Sequence, residues 1–186
     1  FAVIDPIGTV PVFIAATRQY DARTKRRIAL IASLAAAAVL LFFVVAGEII
    51  LDALRIPLPA FQIAGGIVLF LFALSMIFGE SKPEEEMRLA EDHDETAIFP
   101  LAVPSIAGPG AMLAAVLMTE SSRVSLWEQV QTAGVMLAVV AIVYGLMLAA
   151  GWVSRLIGNS GASVISRVMG LILAAVAIDN TLAGVK

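Results

Sequence analysis

Two short stretches of the chain combine proline, glycine and small polar residues in a pattern that could bind a charged ligand. Residues 5–11 read DPIGTVP, and residues 104–110 read PSIAGPG. Proline removes a backbone donor and glycine permits close backbone approach, so each stretch predicts an interruption of the surrounding helix. A helix that restarts there presents free N–H groups to an anion, whereas the helix that ends there presents free carbonyls to an ammonium group or a cation. A zwitterion would use both.

The candidate ligand-binding residues lie in or beside these interruptions. Asp5 could contact an ammonium group, or it could simply cap the helix that follows. Hydroxyls at two positions could donate hydrogen bonds, and glycines at three positions would leave the backbone open to a ligand. The substrate-binding candidates are Asp5, Gly8, Thr9, Ser105, Gly108 and Gly110.

A second acidic position, Asp179 followed by Asn180, lies in the last apolar segment. A carboxylate at the centre of a bilayer costs at least about 2.5–3.5 kcal/mol on insertion scales, so it needs either a partner or a boundary position. Asp179 and Asn180 are therefore candidates for an ion site or for outer contacts of the substrate site. A position at the membrane surface is the alternative.

The composition places both interruptions in a membrane protein. Apolar residues make up 60% of the 186 residues and charged residues 15%, against roughly 45–50% and about 25% in soluble domains. Each of four charge-free windows reaches the roughly 20 residues that a helix needs to cross a bilayer. These windows are residues 28–47, 56–79, 96–119 and 129–154.

We predict an all-α polytopic membrane protein with six spans, of which the first and fourth are broken by Gly and Pro. A basic loop at 18–27 and a small-residue loop at 158–163 are expected between spans. The predicted spans cover residues 1–17, 28–51, 61–79, 98–119, 129–154 and 164–184.

The order of these elements repeats. Pro6 matches Pro109 after 103 residues, and Gly66 matches Gly170 after 104. Because three spans are an odd number, the second half would insert upside down, as in inverted-repeat transporters, although a duplicated scaffold without transport would show the same pattern. We divide the chain into a first three-span repeat (1–79, truncated at its start), an acidic cytoplasmic linker (80–97) and a second, inverted repeat (98–186).

The basic residues predict the orientation. With the 18–27 loop in the cytoplasm, nine basic residues lie inside and three outside, which satisfies the positive-inside rule. Both termini would then face outward from the inner or plasma membrane. The inside set is Arg18, Arg23, Lys25, Arg26, Arg27, Lys82, Arg88, Arg155 and Arg167; the outside set is Arg55, Arg123 and Lys186.

Several kinds of chemistry have no support in the sequence. It has no cysteine, and its single histidine, His93, lies in the acidic linker, so we expect no nucleophile-base pair, catalytic residue, metal site or cofactor. No basic patch suggests nucleic acid. A transporter and a passive channel for small polar solutes remain, with an embedded enzyme using Asp5 or Asp179 the weakest alternative. No ATP-binding motif is visible, so uphill transport would need a coupling ion such as a proton or sodium.

Three motifs, in this order and spacing, resemble the MarC family of six-span bacterial and archaeal membrane proteins. They are DPIGTVPVF at 5–13, GGIVLFLFA at 65–73 and PSIAGPGA at 104–111. The resemblance covers essentially the whole chain, although the first span is shorter than in the family. It implies a transporter of small neutral amino acids such as glycine or alanine. The oligomeric state, the direction of transport and the coupling ion do not follow from it.

Overall fold

The computed structural model of the chain describes residues 3–78, 96–119 and 125–185. All its regular elements in these ranges are helical. The predicted linker at 80–97 falls almost entirely outside the described residues. The elements are α1 (Thr9–Ala16), α2 (Ala22–Ala53), α3 (Leu58–Phe78), the kinked segment (Ala97–Ile106), α4 (Pro109–Leu117), α5 (Leu126–Leu148) and α6 (Ala150–Val185).

Four helices are long and apolar enough to cross a membrane. They comprise α2, α3, α5 and the Arg167–Val185 part of α6. Their outward faces carry large apolar side chains, such as Leu34 and Leu71, which are exposed in the isolated chain. Such faces suit a lipid environment, where apolar exposure carries no hydration cost.

α2 begins earlier than the sequence suggested because Asp21 caps it. The Asp21 carboxylate accepts hydrogen bonds from the backbone amides of Arg23 at 3.2 Å and Thr24 at 3.3 Å. Hydrogen bonding by the Thr24 side chain, together with these amides, holds the pKa of Asp21 below its ordinary value. The basic residues at 22–27 therefore form the first turns of α2, and the prediction of a loop there is wrong.

The kinked segment owes its irregular backbone to proline. Phe99 (φ −128°, ψ 126°) and Val103 (φ −131°, ψ 125°) are extended, and each precedes a proline in the sequence. The residue before a proline is driven out of the helical region by steric clash. Ala107, with φ −90° and ψ 65°, then separates this segment from α4. Residues 97–117 therefore do not form one regular helix.

α6 is longer than predicted. It continues through residues 158–163, where a loop was expected, and α5 ends at Leu148 rather than near residue 154. Both predictions are wrong. Glycine and serine lower helix propensity by at most about 1 kcal/mol per residue, and this stretch contains no proline to end the helix. At 1.5 Å per residue, α6 is about 54 Å long, which exceeds the thickness of a bilayer core.

The short helices pack against long helices from the opposite half of the chain. α1 contacts α5 and α6, whereas α4 contacts α2 and α3. α1 also contacts the kinked segment, which brings the two proline-rich stretches together. The largest buried cluster includes Phe13, Leu40, Leu101 and Val143.

α3 and α6 form the most extensive helix pair and a separate buried cluster. That cluster consists of Leu69, Ala73 and Met76 from α3 with Leu173 and Ala177 from α6.

Candidate functional site

The first proline-rich stretch forms a turn around Asp5. Asp5 has φ 45°, in the left-handed region that aspartate tolerates better than most side chains. Its side chain is only 6% exposed. The Asp5 Oδ1 atom accepts a hydrogen bond from the Gly8 amide at 3.0 Å, and the Asp5 carbonyl accepts one from the Thr9 amide at 3.1 Å. The turn therefore leads directly into α1, which begins at Thr9.

Gly8 is required by the position of the Asp5 carboxylate. A Cβ atom built on Gly8 would overlap the Oδ2 atom of Asp5. The φ of Gly8 is −66°, which any residue can adopt. The absent side chain, rather than an unusual backbone angle, therefore explains the glycine.

The expectation of free amides at the start of α1 is wrong. The Thr9 amide bonds to the Asp5 carbonyl, and the Val10 amide bonds to the Ile7 carbonyl at 3.2 Å. Pro11 has no N–H to offer. The chain itself thus provides hydrogen-bond acceptors for the amides at this helix end. Through its bonds with the Gly8 and Thr9 amides, Asp5 caps the start of the helix, which is one of the two roles that the sequence allowed.

Thr9 and Ser105 join the two proline-rich stretches. The Thr9 hydroxyl donates to the Asp5 carbonyl at 3.1 Å, and the Ser105 hydroxyl donates to the Thr9 Oγ1 atom at 3.4 Å. Thr9 is 1% exposed, while Ser105 is partly buried. Residues that lie 96 positions apart in the sequence therefore share one polar chain that ends at Asp5.

The amino end of α4 differs from that of α1. Gly108 precedes the helix in extended backbone (φ −78°, ψ 170°) and provides no side-chain cap. The first backbone bond runs from the Met112 amide to the Gly108 carbonyl at 3.0 Å. The amides of Gly110 and Ala111 therefore precede the helical bonding pattern, and no described residue caps them. Both residues are buried.

Gly110 also lies against α3. A Cβ atom on Gly110 would overlap the Leu69 Cδ1 atom and stand 3.2 Å from its Cδ2 atom. Close packing with α3 therefore accounts for a glycine at this position, whether or not a ligand approaches it. A larger residue at position 110 would disturb both packing and any ligand contact.

The Asp5 carboxylate lacks a basic partner in the described part of the chain. The Gly8 amide is its one hydrogen-bond donor there. Burying a charge without a pairing charge is costly. A cationic ligand group would offset that cost.

The structure does not place Asp179 and Asn180 in contact with the polar groups of Asp5, Thr9 and Ser105. Asp179 is exposed on α6 and Asn180 is partly buried. Across residues 3–78, 96–119 and 125–185, neither forms a hydrogen bond with Asp5, Thr9 or Ser105. Asp179 and Asn180 therefore do not take part in the hydrogen bonds that join Asp5, Thr9 and Ser105.

Sequence reasoning overlooked Thr119, which follows α4. Its hydroxyl donates to the Ala115 carbonyl at 2.6 Å and contacts the Val44 carbonyl of α2 at 3.3 Å. Thr17, which follows α1, makes the corresponding bond to the Phe13 carbonyl, also at 2.6 Å. The matching positions of two threonines after two short helices were the available signal.

Four long apolar helices, packed with two short helices and a kinked proline-containing segment, define a polytopic integral membrane protein. The sequence from residue 1 to 186 matches the family described as "MarC family integral membrane protein". The chain belongs to the MarC family, as its three motifs predicted.

Similar proteins occur in archaea and bacteria. The UPF0056 membrane protein MJ1677 of Methanocaldococcus jannaschii is 37% identical over 190 residues, which cover 100% of this chain and 92% of the relative. The UPF0056 membrane protein YhcE of Escherichia coli is 34% identical over 193 residues, covering 100% and 88%. A relative from Aquifex aeolicus is 33% identical over 194 residues, with the same coverage as YhcE. These names describe membrane proteins and state no reaction. No solved structure matches the chain.

Proposed function

We propose that this protein is a secondary transporter of small neutral amino acids such as glycine or alanine. The observation that carries the proposal is the hydrogen bond from Ser105 to Thr9, because it joins the two interrupted segments at one polar position. A substrate held between two such segments could be exposed to either side of a membrane when one moves relative to the other.

The proposed substrate orientation follows from the difference between the two helix ends. The substrate carboxylate would accept hydrogen bonds from the uncapped amides of Gly110 and Ala111, where the helix dipole is positive. The substrate ammonium would lie at Asp5, whose carboxylate has no other basic partner among the described residues. Thr9 and Ser105 would donate or accept hydrogen bonds between these ends, and Gly8 and Gly108 would shape the backbone around them.

The packing supports the proposed architecture of six spans in two inverted repeats, 1–79 and 98–186. α1 packs on helices of the second half, and α4 packs on helices of the first. This reciprocal exchange is what a pseudo-two-fold axis between inverted halves would produce. We also propose that the protein lies in the inner or plasma membrane with both termini facing outward. Transport would be coupled to the movement of a proton or a sodium ion.

Counterflow in proteoliposomes tests the proposal. Vesicles that contain the purified protein and a high internal concentration of unlabelled alanine should transiently accumulate external labelled alanine. Uptake should saturate with concentration and should be absent from protein-free vesicles. Labelled glycine should compete for the same transport.

The alternatives give different results in the same vesicles. A passive channel would equilibrate the label without saturation or counterflow. A membrane protein without transport activity would match the protein-free vesicles for every amino acid tested. Either result would overturn the proposal. Gly134→Ala is a suitable control for any general effect of replacing a glycine. Gly134 lies on a face of α5 where an added Cβ meets no atom within 4 Å.

A further inference from the structure

We infer that the amino-terminal end of α2 binds an anionic phospholipid, an inference that does not depend on the proposed transport. The lipid phosphate would pair with the guanidinium groups of Arg23 and Arg26, and the acyl chains would lie along Leu30 and Leu34 of the same helix. The positive-inside rule accounts for basic residues in a cytoplasmic segment, but it does not require them to share a helix face with exposed apolar side chains.

Arg18, Arg23 and Arg26 have no acidic partner in the described part of the chain. Asp21 is the one acidic residue between positions 6 and 47 of the sequence. Its carboxylate accepts hydrogen bonds from the backbone amides of Arg23 and Thr24, so it caps α2 and pairs with no guanidinium group. All three arginines are exposed. This end of α2 therefore presents positive charge that an anionic group could neutralise.

One face of α2 carries both the charge and an apolar surface. Arg23, Arg26 and Leu30 are separated by three, four and seven positions, which places them on the same side of a helix, and Leu34 continues that side one turn later. Leu30 is 45% exposed and Leu34 is 62% exposed, whereas Ala32, on the opposite side, is 0% exposed. At 1.5 Å per residue, Leu30 lies about 6 Å further along the helix than Arg26. The two arginines therefore stand directly above an apolar, lipid-facing stripe.

This arrangement matches the chemistry of an anionic phospholipid. Guanidinium groups form charge-assisted hydrogen bonds with phosphate oxygens, and clusters of basic residues next to a membrane helix attract anionic lipids. Phosphatidylglycerol has a net negative charge, whereas phosphatidylcholine carries a quaternary ammonium group that the arginines would repel. A free phosphate ion would use the charge of Arg23 and Arg26 but not the apolar stripe at Leu30 and Leu34. The face therefore favours a lipid over a soluble anion.

Native mass spectrometry of the whole chain in detergent, titrated with dioleoyl phosphatidylglycerol or dioleoyl phosphatidylcholine, tests the inference. We expect the wild type to bind phosphatidylglycerol at least about 10-fold more tightly, and the double variant Arg23→Gln/Arg26→Gln to lose most of that preference. Arg23→Lys/Arg26→Lys keeps the charge and should retain more of the preference than the glutamine variant. Arg55→Gln/Arg167→Gln is the matched control, because it removes the same charge from two exposed arginines elsewhere and should keep the wild-type preference.

Three results would each overturn the inference. The first is equal binding of the two lipids by the wild type. The second is an equal loss of preference in the control variant or in the lysine variant, since the loss would then not depend on charge at Arg23 and Arg26. The third is displacement of phosphatidylglycerol by an equal concentration of inorganic phosphate or glycerophosphoglycerol, which would identify a site for small anions that makes no use of acyl chains. If the double glutamine variant does not fold, Arg26→Gln alone provides the same comparison against Arg55→Gln.

Discussion

Gly66 of α3 lies directly against Ala177 of α6: a Cβ on Gly66 would stand 2.9 Å from the Ala177 carbonyl oxygen. In the same way, a Cβ on Gly170 of α6 would stand 3.0 Å from the carbonyl oxygen of Ala73 of α3. Each glycine and each alanine recurs after 104 residues. The two helices therefore present equivalent positions to each other, as in a two-fold interface between identical subunits. This relation supports the proposed inverted repeats.

The first prediction concerns these close contacts. In Gly66→Ala and Gly170→Ala the new methyl group must push against the backbone of the opposite helix, so we expect a loss of about 1–3 kcal/mol in the free energy of unfolding. Denaturation in detergent micelles by increasing dodecyl sulfate measures that loss.

Gly134→Ala is the control for this prediction. The new Cβ meets nothing within 4 Å, and alanine favours the helix by up to about 1 kcal/mol. The control should therefore be as stable as the wild type or slightly more stable. Equal stability of all three variants would show that α3 and α6 are not as closely packed as described.

The long helices could be predicted from the sequence, because an apolar window of that length has few conformations other than a helix available to it in a membrane. The sequence also predicted the irregular backbone near residues 104–110, since proline acts on the residue next to it whatever the tertiary structure. The helix across 158–163 was missed because small residues weaken a helix without ending it. The bonded amides of Thr9 and Val10 were missed because they depend on the left-handed Asp5 turn, which spacing alone does not reveal.

The second prediction concerns the bond between Thr9 and Ser105. A double-mutant cycle with Thr9→Val and Ser105→Ala should give a coupling free energy of about 1 kcal/mol for alanine binding, the usual worth of one hydrogen bond. Isothermal titration calorimetry of the wild type, both single variants and the double variant gives this value. Purely additive effects would mean that the two hydroxyls do not cooperate in the site.

The third prediction concerns topology and uses the absence of native cysteine. Arg23 in the first turn of α2 and Arg55 after its end are both exposed, and α2 places them at opposite ends of one span. In intact cells, Arg23→Cys should resist an impermeant thiol reagent and Arg55→Cys should react, because the basic residues around position 23 favour the cytoplasm. Lysis should make both reactive. The reverse pattern in intact cells would invert the proposed orientation.

The last prediction separates the two roles of Asp5. Asp5→Asn keeps an Oδ1 atom that can accept from the Gly8 amide, and asparagine also tolerates the left-handed backbone. We expect its unfolding free energy to stay within about 0.5 kcal/mol of the wild type, since the cap survives. Asp5→Ala removes the cap and should lose about 0.5–2 kcal/mol.

Binding then decides what the charge does. If the carboxylate holds the substrate ammonium, Asp5→Asn should raise the dissociation constant for alanine by at least about 10-fold, because a charged partner contributes roughly 1.5–3 kcal/mol to a hydrogen bond. Calorimetric titration of the folded variants with alanine measures the change. Wild-type affinity in Asp5→Asn, alongside a merely less stable Asp5→Ala, would assign Asp5 to capping alone and would leave the ammonium to other groups near Thr9 and Ser105.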